Sequence, residues 1–281
     1  MIAYLNGRYV PKEDAKISAD DRGFLFSDGL YEVIRSYEGR LFQTDAHLER
    51  LARGTRILHI IFSEIHKIKE IAEYLITENQ LTRGDAIVYI QITRGAAPRT
   101  HRFPPPETKP TLYIAASKFF PKKEELAAGI NAILVPDQRW ARCDIKTISL
   151  LANVLAHQKA VESDAAEAIF VRDAVALEGT HSNLFGVFDG TVITAPKSNY
   201  ILPGITRAVA LDLCQKLDIS LREESIFEDH LFEADELMII GTTVEITPVV
   251  RINGTPIANN IPGPITRRLQ QAFRELTHPA N

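Results

Sequence analysis

The feature that most constrains the fold is the stretch at residues 118–125. It is charged, carries Pro121 and interrupts the hydrophobic periodicity on both sides. A break of that kind reads as an interdomain linker. It predicts a small α+β domain over residues 1–117 and a larger domain over residues 126–281. Before the break, alternating segments at 1–10, 31–37, 40–43, 86–93 and 111–117 read as strands, with hairpin signals at Asn6-Gly7 and Glu38-Gly39. Residues 46–58, with Asp45 as N-cap, and 63–79, capped by Ser63, have helical periodicity. Residues 94–110 are irregular, with four prolines between Pro98 and Pro106.

After the break, strands are expected at 130–136, 167–172, 182–189, 191–195, 220–225, 235–240 and 245–252. Helices are expected at 149–163, 205–217, 228–234 and 265–276. The fold class is therefore mixed α/β, of α+β character, in two domains. The chain has 281 residues and a net charge of −4, so no polybasic field draws it to nucleic acid or to an anionic membrane. No apolar run approaches the roughly 20 residues of a membrane span, and the first residues lack the layout of a secretory signal. Two cysteines, Cys143 and Cys214, are too few for a disulfide framework or a metal cage. A reducing cytoplasm and no metal site are the simplest expectations, with Cys143 a small buried thiol.

The chemistry concentrates in a few places. Lys146 lies in Asp144-Ile145-Lys146-Thr147, just before an apolar helical run, and Glu178 follows 32 positions later in Leu177-Glu178-Gly179. Leu202-Pro203-Gly204-Ile205-Thr206-Arg207 puts Gly and Thr at the mouth of a helix, where backbone N–H groups and the helix dipole favour an anion. Gly241-Thr242-Thr243 offers a hydroxyl and N–H groups for the same anion. Arg50, on the first long helix, has the planar fork that clasps a phosphate. A lone lysine, an acid and two anion-friendly loops are the parts that a pyridoxal 5'-phosphate site needs. Each has an ordinary alternative when taken singly: a solvated lysine, a turn glutamate, a routine helix start, a plain loop, a surface arginine.

Taken in order, these motifs resemble the branched-chain/D-amino-acid aminotransferase family, the fold-type IV pyridoxal-phosphate enzymes. The resemblance covers nearly the whole chain. It includes Asp28-Gly29-Leu30-Tyr31-Glu32, His47-x-x-Arg50-Leu51, Asp144-Ile145-Lys146, Glu178-Gly179-x-x-Ser182-Asn183 and Thr242-Thr243-x-Glu245-Ile246-Thr247-Pro248-Val249. It implies that Lys146 is the Schiff-base lysine and proton shuttle. It implies that Glu178 pairs with the pyridine nitrogen, that Leu202 supports the ring, and that Arg50, Ile205, Thr206 and Thr242 hold the phosphate. It further implies a homodimer with the cofactor in the cleft between domains.

Within the family, Arg99 and His101, one residue apart in the irregular loop, are similar to the Arg-x-His carboxylate trap of D-amino-acid aminotransferases. Tyr31 adds a hydroxyl donor. In that group the loop reaches across from the neighbouring subunit. His181 stands where a small residue is expected and is assigned to the substrate side. The reading is transamination between a D-amino acid, such as D-alanine or D-glutamate, and a 2-oxo acid, 2-oxoglutarate or pyruvate. The alternatives are a branched-chain L-amino-acid aminotransferase, an aminodeoxychorismate lyase, and a non-enzymatic protein on the same fold with an idle lysine.

Overall fold

A computed structural model describes residues 1–279 of the chain. The chain divides into two compact units, one formed by Met1–Phe120 together with Ile145–Ser149, the other by Pro121–Asp144 and the chain from Leu150 onward.

The first unit is built on a six-stranded antiparallel sheet. Its strands are β1 (Ile2–Leu5), β2 (Arg8–Pro11), β3 (Gly29–Tyr37), β4 (Arg40–Leu41), β5 (Asp85–Thr93) and β6 (Thr111–Lys118), in the order β2-β1-β6-β5-β3-β4. Asn6 and Gly7 both take positive φ, 48° and 90°, as a tight hairpin turn requires. Helices α1 (Arg22–Phe26), α2 (Thr44–Ile57) and α3 (Ile68–Glu78) complete the unit. Leu30, Ile34, Val88, Ile90, Ile92 and Ile114 from the sheet join Leu48, Leu51, Ile68 and Leu75 from the helices in one buried cluster. Each such side chain contributes about 1.5–3 kcal/mol on burial.

Two helix starts differ from the sequence expectation. Helix α2 begins at Thr44 behind Gln43, which adopts a left-handed conformation and makes no side-chain cap, so Asp45 sits in the first turn rather than at the cap. Its charge there still favours the positive end of the helix dipole. Residues 63–64 precede a tight 3-10 turn, Ile65–Lys67, and α3 proper starts only at Ile68 without a serine cap.

The second unit contains α4 (Lys123–Ala128), β7 (Ile130–Pro136), α5 (Leu151–Glu162), β8 (Glu167–Arg172), β9 (Val175–Gly179), β10 (Asn183–Phe188) and β11 (Thr191–Thr194). It continues with α6 (Ile205–Lys216), β12 (Leu221–Glu223), β13 (Ile226–Phe227), β14 (Glu236–Gly241), β15 (Glu245–Ile252), β16 (Thr255–Pro256) and α7 (Pro264–Thr277). The ten strands form one mixed sheet, ordered β12-β11-β10-β14-β15-β7-β8-β9-β13, with β16 on β15. Strand β9 also pairs with β10, through Glu178 and Asn183. The path β10-β14-β15-β7-β8-β9 therefore returns on itself and sets those two side chains side by side.

Two features depart from the expected domain layout. Part of the expected linker is helical, as α4. The segment Ile145–Ser149, expected within the larger domain, packs with the first unit because it pairs with β3. The Tyr31 amide donates to the Lys146 carbonyl at 3.1 Å, the Ile148 amide donates to the Gly29 carbonyl at 3.2 Å, and Leu30 bridges Thr147. Ile145 enters the same buried cluster as Leu30.

Candidate active site

Alternation along β3 sends Tyr31 and Glu32 to opposite faces of the sheet. Glu32 is fully buried and meets α2. Arg50 donates to it from Nε at 2.7 Å and from Nη2 at 2.8 Å, and His47 Nδ1 lies 2.8 Å from Oε2. Burial opposes the charge on Glu32, but the Arg50 guanidinium and the His47 contact outweigh it and hold the carboxyl well below its usual range. Burial also lowers His47. Arg50, assigned to the phosphate from the sequence, thus has two of its nitrogens oriented by a buried carboxylate. Tyr31 stacks on Tyr89 at a 6.0 Å centroid separation. The Lys146 amine stands 4.1 Å from the Tyr31 ring centroid. The structure therefore brings Lys146 and Tyr31 together.

It also brings Arg99 and His101 together, on one aromatic ring. The Arg99 guanidinium carbon lies 5.1 Å from the centroid of Phe26, and the His101 ring lies 5.6 Å from it. Arg22 packs on the same ring at 4.8 Å and donates from Nη1 to the Thr100 carbonyl at 2.7 Å. Asp28 ties this loop down by accepting from Arg22 Nε at 2.8 Å and from Arg94 Nε at 2.7 Å and Nη2 at 2.9 Å. Arg99 and His101 themselves are exposed. The platform beneath them, Phe26 on α1, was missed from the sequence. Its only local signal is Asp21, which caps α1 through the Gly23 amide at 2.8 Å.

In the second unit Glu178 is buried on β9. Arg139 Nη1 donates to it at 2.5 Å, Asn183 Nδ2 at 3.0 Å, and the Leu202 amide reaches both oxygens at 3.1 and 3.0 Å. Burial pushes the Glu178 carboxyl up to about 7, against the pull of Arg139 and the Leu202 amide. Its hydrogen-bond neighbours all donate, so the carboxylate form fits the geometry, while burial keeps a proton within reach near neutral pH. Asn183 stands within the Glu178-Gly179-x-x-Ser182-Asn183 motif, whereas no local sequence pattern marks Arg139. Arg139 is in turn held by Asp137 at 2.9 Å.

Helix α6 starts directly beyond Leu202. Gly204 is its N-cap, in extended conformation and with no side-chain cap, so Ile205 and Thr206 open the helix. A Cβ on Gly204 would lie 2.2 Å from Asn183 Oδ1, so only glycine lets this helix mouth approach β10. Thr242 lies in the turn between β14 and β15. His181 is brought to Glu167 and His157 rather than standing alone, with its Nδ1 3.4 Å from Glu167 Oε2. Cys143 is buried, and burial raises its thiol to about 11, consistent with the expected inert thiol.

A two-unit mixed α/β chain carrying a buried acid, an unblocked helix mouth and a lysine anchored by strand pairing defines the pyridoxal-phosphate aminotransferases of fold type IV. Residues 29–252 match the family model "Amino-transferase class IV". The chain belongs to this family, and its cofactor is pyridoxal 5'-phosphate. It is 40% identical over 273 residues to the D-alanine aminotransferase of Staphylococcus haemolyticus, covering 97% of this chain and 96% of that one. It is similar in structure to the branched-chain amino acid aminotransferase from Escherichia coli, with a TM-score of 0.90, 28% identity, and coverage of 98% and 94%. It is also similar to the branched-chain amino acid aminotransferase of the thermophilic archaeon Thermoproteus uzoniensis with norvaline, with a TM-score of 0.86, 26% identity, and coverage of 99% and 94%. The residues present fit the cofactor. Glu178 is a buried carboxylate held by donors only, a group able to accept from a protonated pyridine nitrogen, and the Gly204 mouth of α6 suits a phosphate.

Proposed function

We propose that this enzyme transfers the amino group of a D-amino acid, such as D-alanine or D-glutamate, to 2-oxoglutarate or pyruvate. The observation that carries the reading is the seating of Arg99 and His101 on the one Phe26 ring, on a loop tied down through Arg22, Asp28 and Arg94. Two cationic or donor groups held side by side are a receptor for an α-carboxylate. The D-alanine aminotransferase relatives, at 40% identity over almost the full length, support the same substrate class. The branched-chain structures share the fold at lower identity.

In this reading Lys146 binds the cofactor covalently and holds and moves the proton at the substrate Cα. Glu178 holds a proton at the pyridine nitrogen. Leu202 supports the ring, and Arg50, Ile205, Thr206 and Thr242 hold the phosphate. Tyr31 and His181 face the substrate. Bound pyridoxal phosphate supplies an electron-withdrawing ring that stabilises negative charge at Cα. The carboxylate trap sets which hydrogen of Cα meets Lys146, and so sets the enantiomer.

The enzyme works as a cytoplasmic homodimer in which each Arg99 loop completes the partner's site. The exposed apolar row Leu151, Val154, Leu155 and Val161 on α5 supports association. Among the described residues, no helix is long and apolar enough to cross a membrane. The test of substrate class is kcat/KM for D- and L-alanine, glutamate and leucine with each oxo acid. Faster turnover of L-leucine than of any D-amino acid would move the enzyme to the branched-chain group.

A further inference from the structure

His157, Glu167 and His181 form a cluster that the transamination chemistry does not use in full. They come from three separate elements of the second unit: α5, the first residue of β8, and the turn between β9 and β10. Each offers one ligand atom, and the three atoms lie within 4.8 Å of one another. Glu167 is fully buried, while His157 and His181 have side chains 44% and 41% exposed, so the cluster opens to solvent on the imidazole side.

Glu167 is oriented before any ligand arrives. Its Oε1 accepts from the Ala168 amide at 3.0 Å, the Thr180 amide at 3.0 Å and Thr180 Oγ1 at 2.5 Å. Its Oε2 accepts from Ser182 Oγ alone, at 2.8 Å. A Cβ on Gly179 would come within 2.7 Å of Oε2, so glycine keeps that oxygen accessible. His181 Nδ1 is 3.4 Å from Oε2, long for a charge-assisted hydrogen bond. It is close to the edge of a tetrahedron, about 3.3 Å, built on metal–ligand bonds of about 2.0–2.1 Å. His157 Nδ1 is buried, lies 4.0 Å from Oε1 and has no hydrogen-bond partner. The two imidazoles meet edge to face at 5.6 Å. An unpartnered ring nitrogen, a second imidazole at polyhedral spacing and a braced carboxylate are the components of an open three-ligand centre.

We propose that His157, Glu167 and His181 bind one divalent transition-metal ion of the zinc class. Two imidazoles and one carboxylate suit Zn²⁺, Co²⁺ or Ni²⁺, whereas Ca²⁺ and Mg²⁺ require oxygen ligands in greater number. Thr180 and Ser182 hold the ligating carboxylate in place. Thr180 Oγ1 gives its hydrogen to Glu167, so His181 Nδ1, 3.0 Å from that oxygen, is the donor in their contact, and ligation through Nδ1 shifts that hydrogen to Nε2. His181 is shared with the proposed substrate side, and ion binding is read directly, so its failure is distinguishable from failure of the D-amino-acid reading. The ion crosslinks α5 to the turn that joins Glu178 to Asn183. The cluster escapes sequence reading because its members stand ten and fourteen positions apart, with no metal-motif spacing.

The test uses the holoenzyme freed of adventitious metal with a chelator and then titrated calorimetrically with Zn²⁺. One ion should bind per chain. His157→Gln and His181→Gln should each weaken binding about tenfold or more, and the double variant should abolish it. His230→Gln, outside the cluster, should bind as the wild type does. Far-UV circular dichroism on each variant separates lost ligation from lost folding. In the wild type, Zn²⁺ should also protect His157 and His181 from acylation by diethyl pyrocarbonate, read by peptide mass spectrometry. Absence of saturable binding, or binding undiminished in the folded double variant (an adventitious ion only), overturns the proposal. So does acylation of both histidines that Zn²⁺ leaves unchanged.

Discussion

The amine of Lys146 stands 4.1 Å from the centre of the Tyr31 ring, on a segment that is hydrogen-bonded to the strand carrying Tyr31. The backbone that fixes the ring also fixes the lysine. Lys146→Ala should leave the fold intact and remove function: the purified protein loses its yellow cofactor absorbance, and kcat falls by about 10⁴-fold or more. A variant that keeps both the colour and substantial turnover would show that another amine serves.

Glu178 and Arg139 should be separable by pH. Glu178→Gln retains the cofactor and lowers turnover by roughly 10²-fold or more. Arg139→Leu removes a pull that opposes burial, so the Glu178 carboxyl rises above about 7, and the pH profile of kcat/KM should move upward. The folded-state pKa is raised above the ordinary 4.5. Between those values the folded chain therefore holds a proton that the unfolded chain has released. The stability this adds in the cofactor-free protein is fully present below 4.5 and lost as pH rises through 7. Thermal melts of apoenzyme and of apo Glu178→Gln, taken from pH 4 to 8, check the sign.

Glu32 behaves in the opposite sense. Its carboxyl is held below the ordinary 4.5 by Arg50 and His47, so its stabilisation is present above pH 4.5 and disappears as the medium is acidified. Glu32→Gln should flatten the acid side of the stability profile. At neutral pH it should cost about 3–5 kcal/mol, because Arg50 is left beside an uncharged partner in a buried setting. Urea unfolding at pH 7 and pH 4 measures both effects, and an unchanged acid slope would assign the loss elsewhere.

Phe26 should act on substrate affinity rather than on the bond-making step. Arg99→Ala loses charge-assisted contacts of about 1.5–3 kcal/mol and should raise KM for every amino acid and oxo acid. Phe26→Leu keeps Arg99 and His101 but removes their shared platform, with the Arg99 cation–π contact worth about 0.5–1 kcal/mol. It should raise KM severalfold with little change in kcat. A kcat defect without a KM change in Phe26→Leu would argue against a positioning role.

Subunit mixing tests where the trap acts. Lys146→Ala subunits are inactive, and Arg99→Ala subunits turn over poorly at substrate concentrations far below their raised KM, where the mixing is assayed. Heterodimers formed between them regain one intact site if the loop is donated to the partner. Verified heterodimers without recovered activity would return the loop to its own subunit.

Much of this was readable from local pattern. Strands β8 and β15 run from Glu167 to Arg172 and from Glu245 to Ile252 as expected, because short apolar, β-branched runs mark strands buried on both faces. Helix α1 was not readable. Five residues are too few for a helical period, and its cap Asp21 is stabilised by Thr93 and Thr111, far away in sequence. The same limit hid Arg139, which meets Glu178 across 39 positions. Family resemblance singled out Lys146, Glu178 and the loop before α6 as candidates, whereas Arg139 against Glu178 and Phe26 beneath Arg99 come together only through tertiary contact.

The return of Ile145–Ser149 to the first unit has a consequence for dissecting the enzyme. Although most of the chain after Pro121 belongs to the second unit, Lys146, the proposed reactive lysine, travels with the first. A fragment cut after Phe120 would strand Lys146 on the wrong side of the scission, with its pairing to Leu30 and Tyr31 unmade. Neither half could then be expressed as an autonomous module that retains its share of the chemistry. Gene fusions or circular permutations of this enzyme must keep the two crossings, near 145 and near 149, uncut.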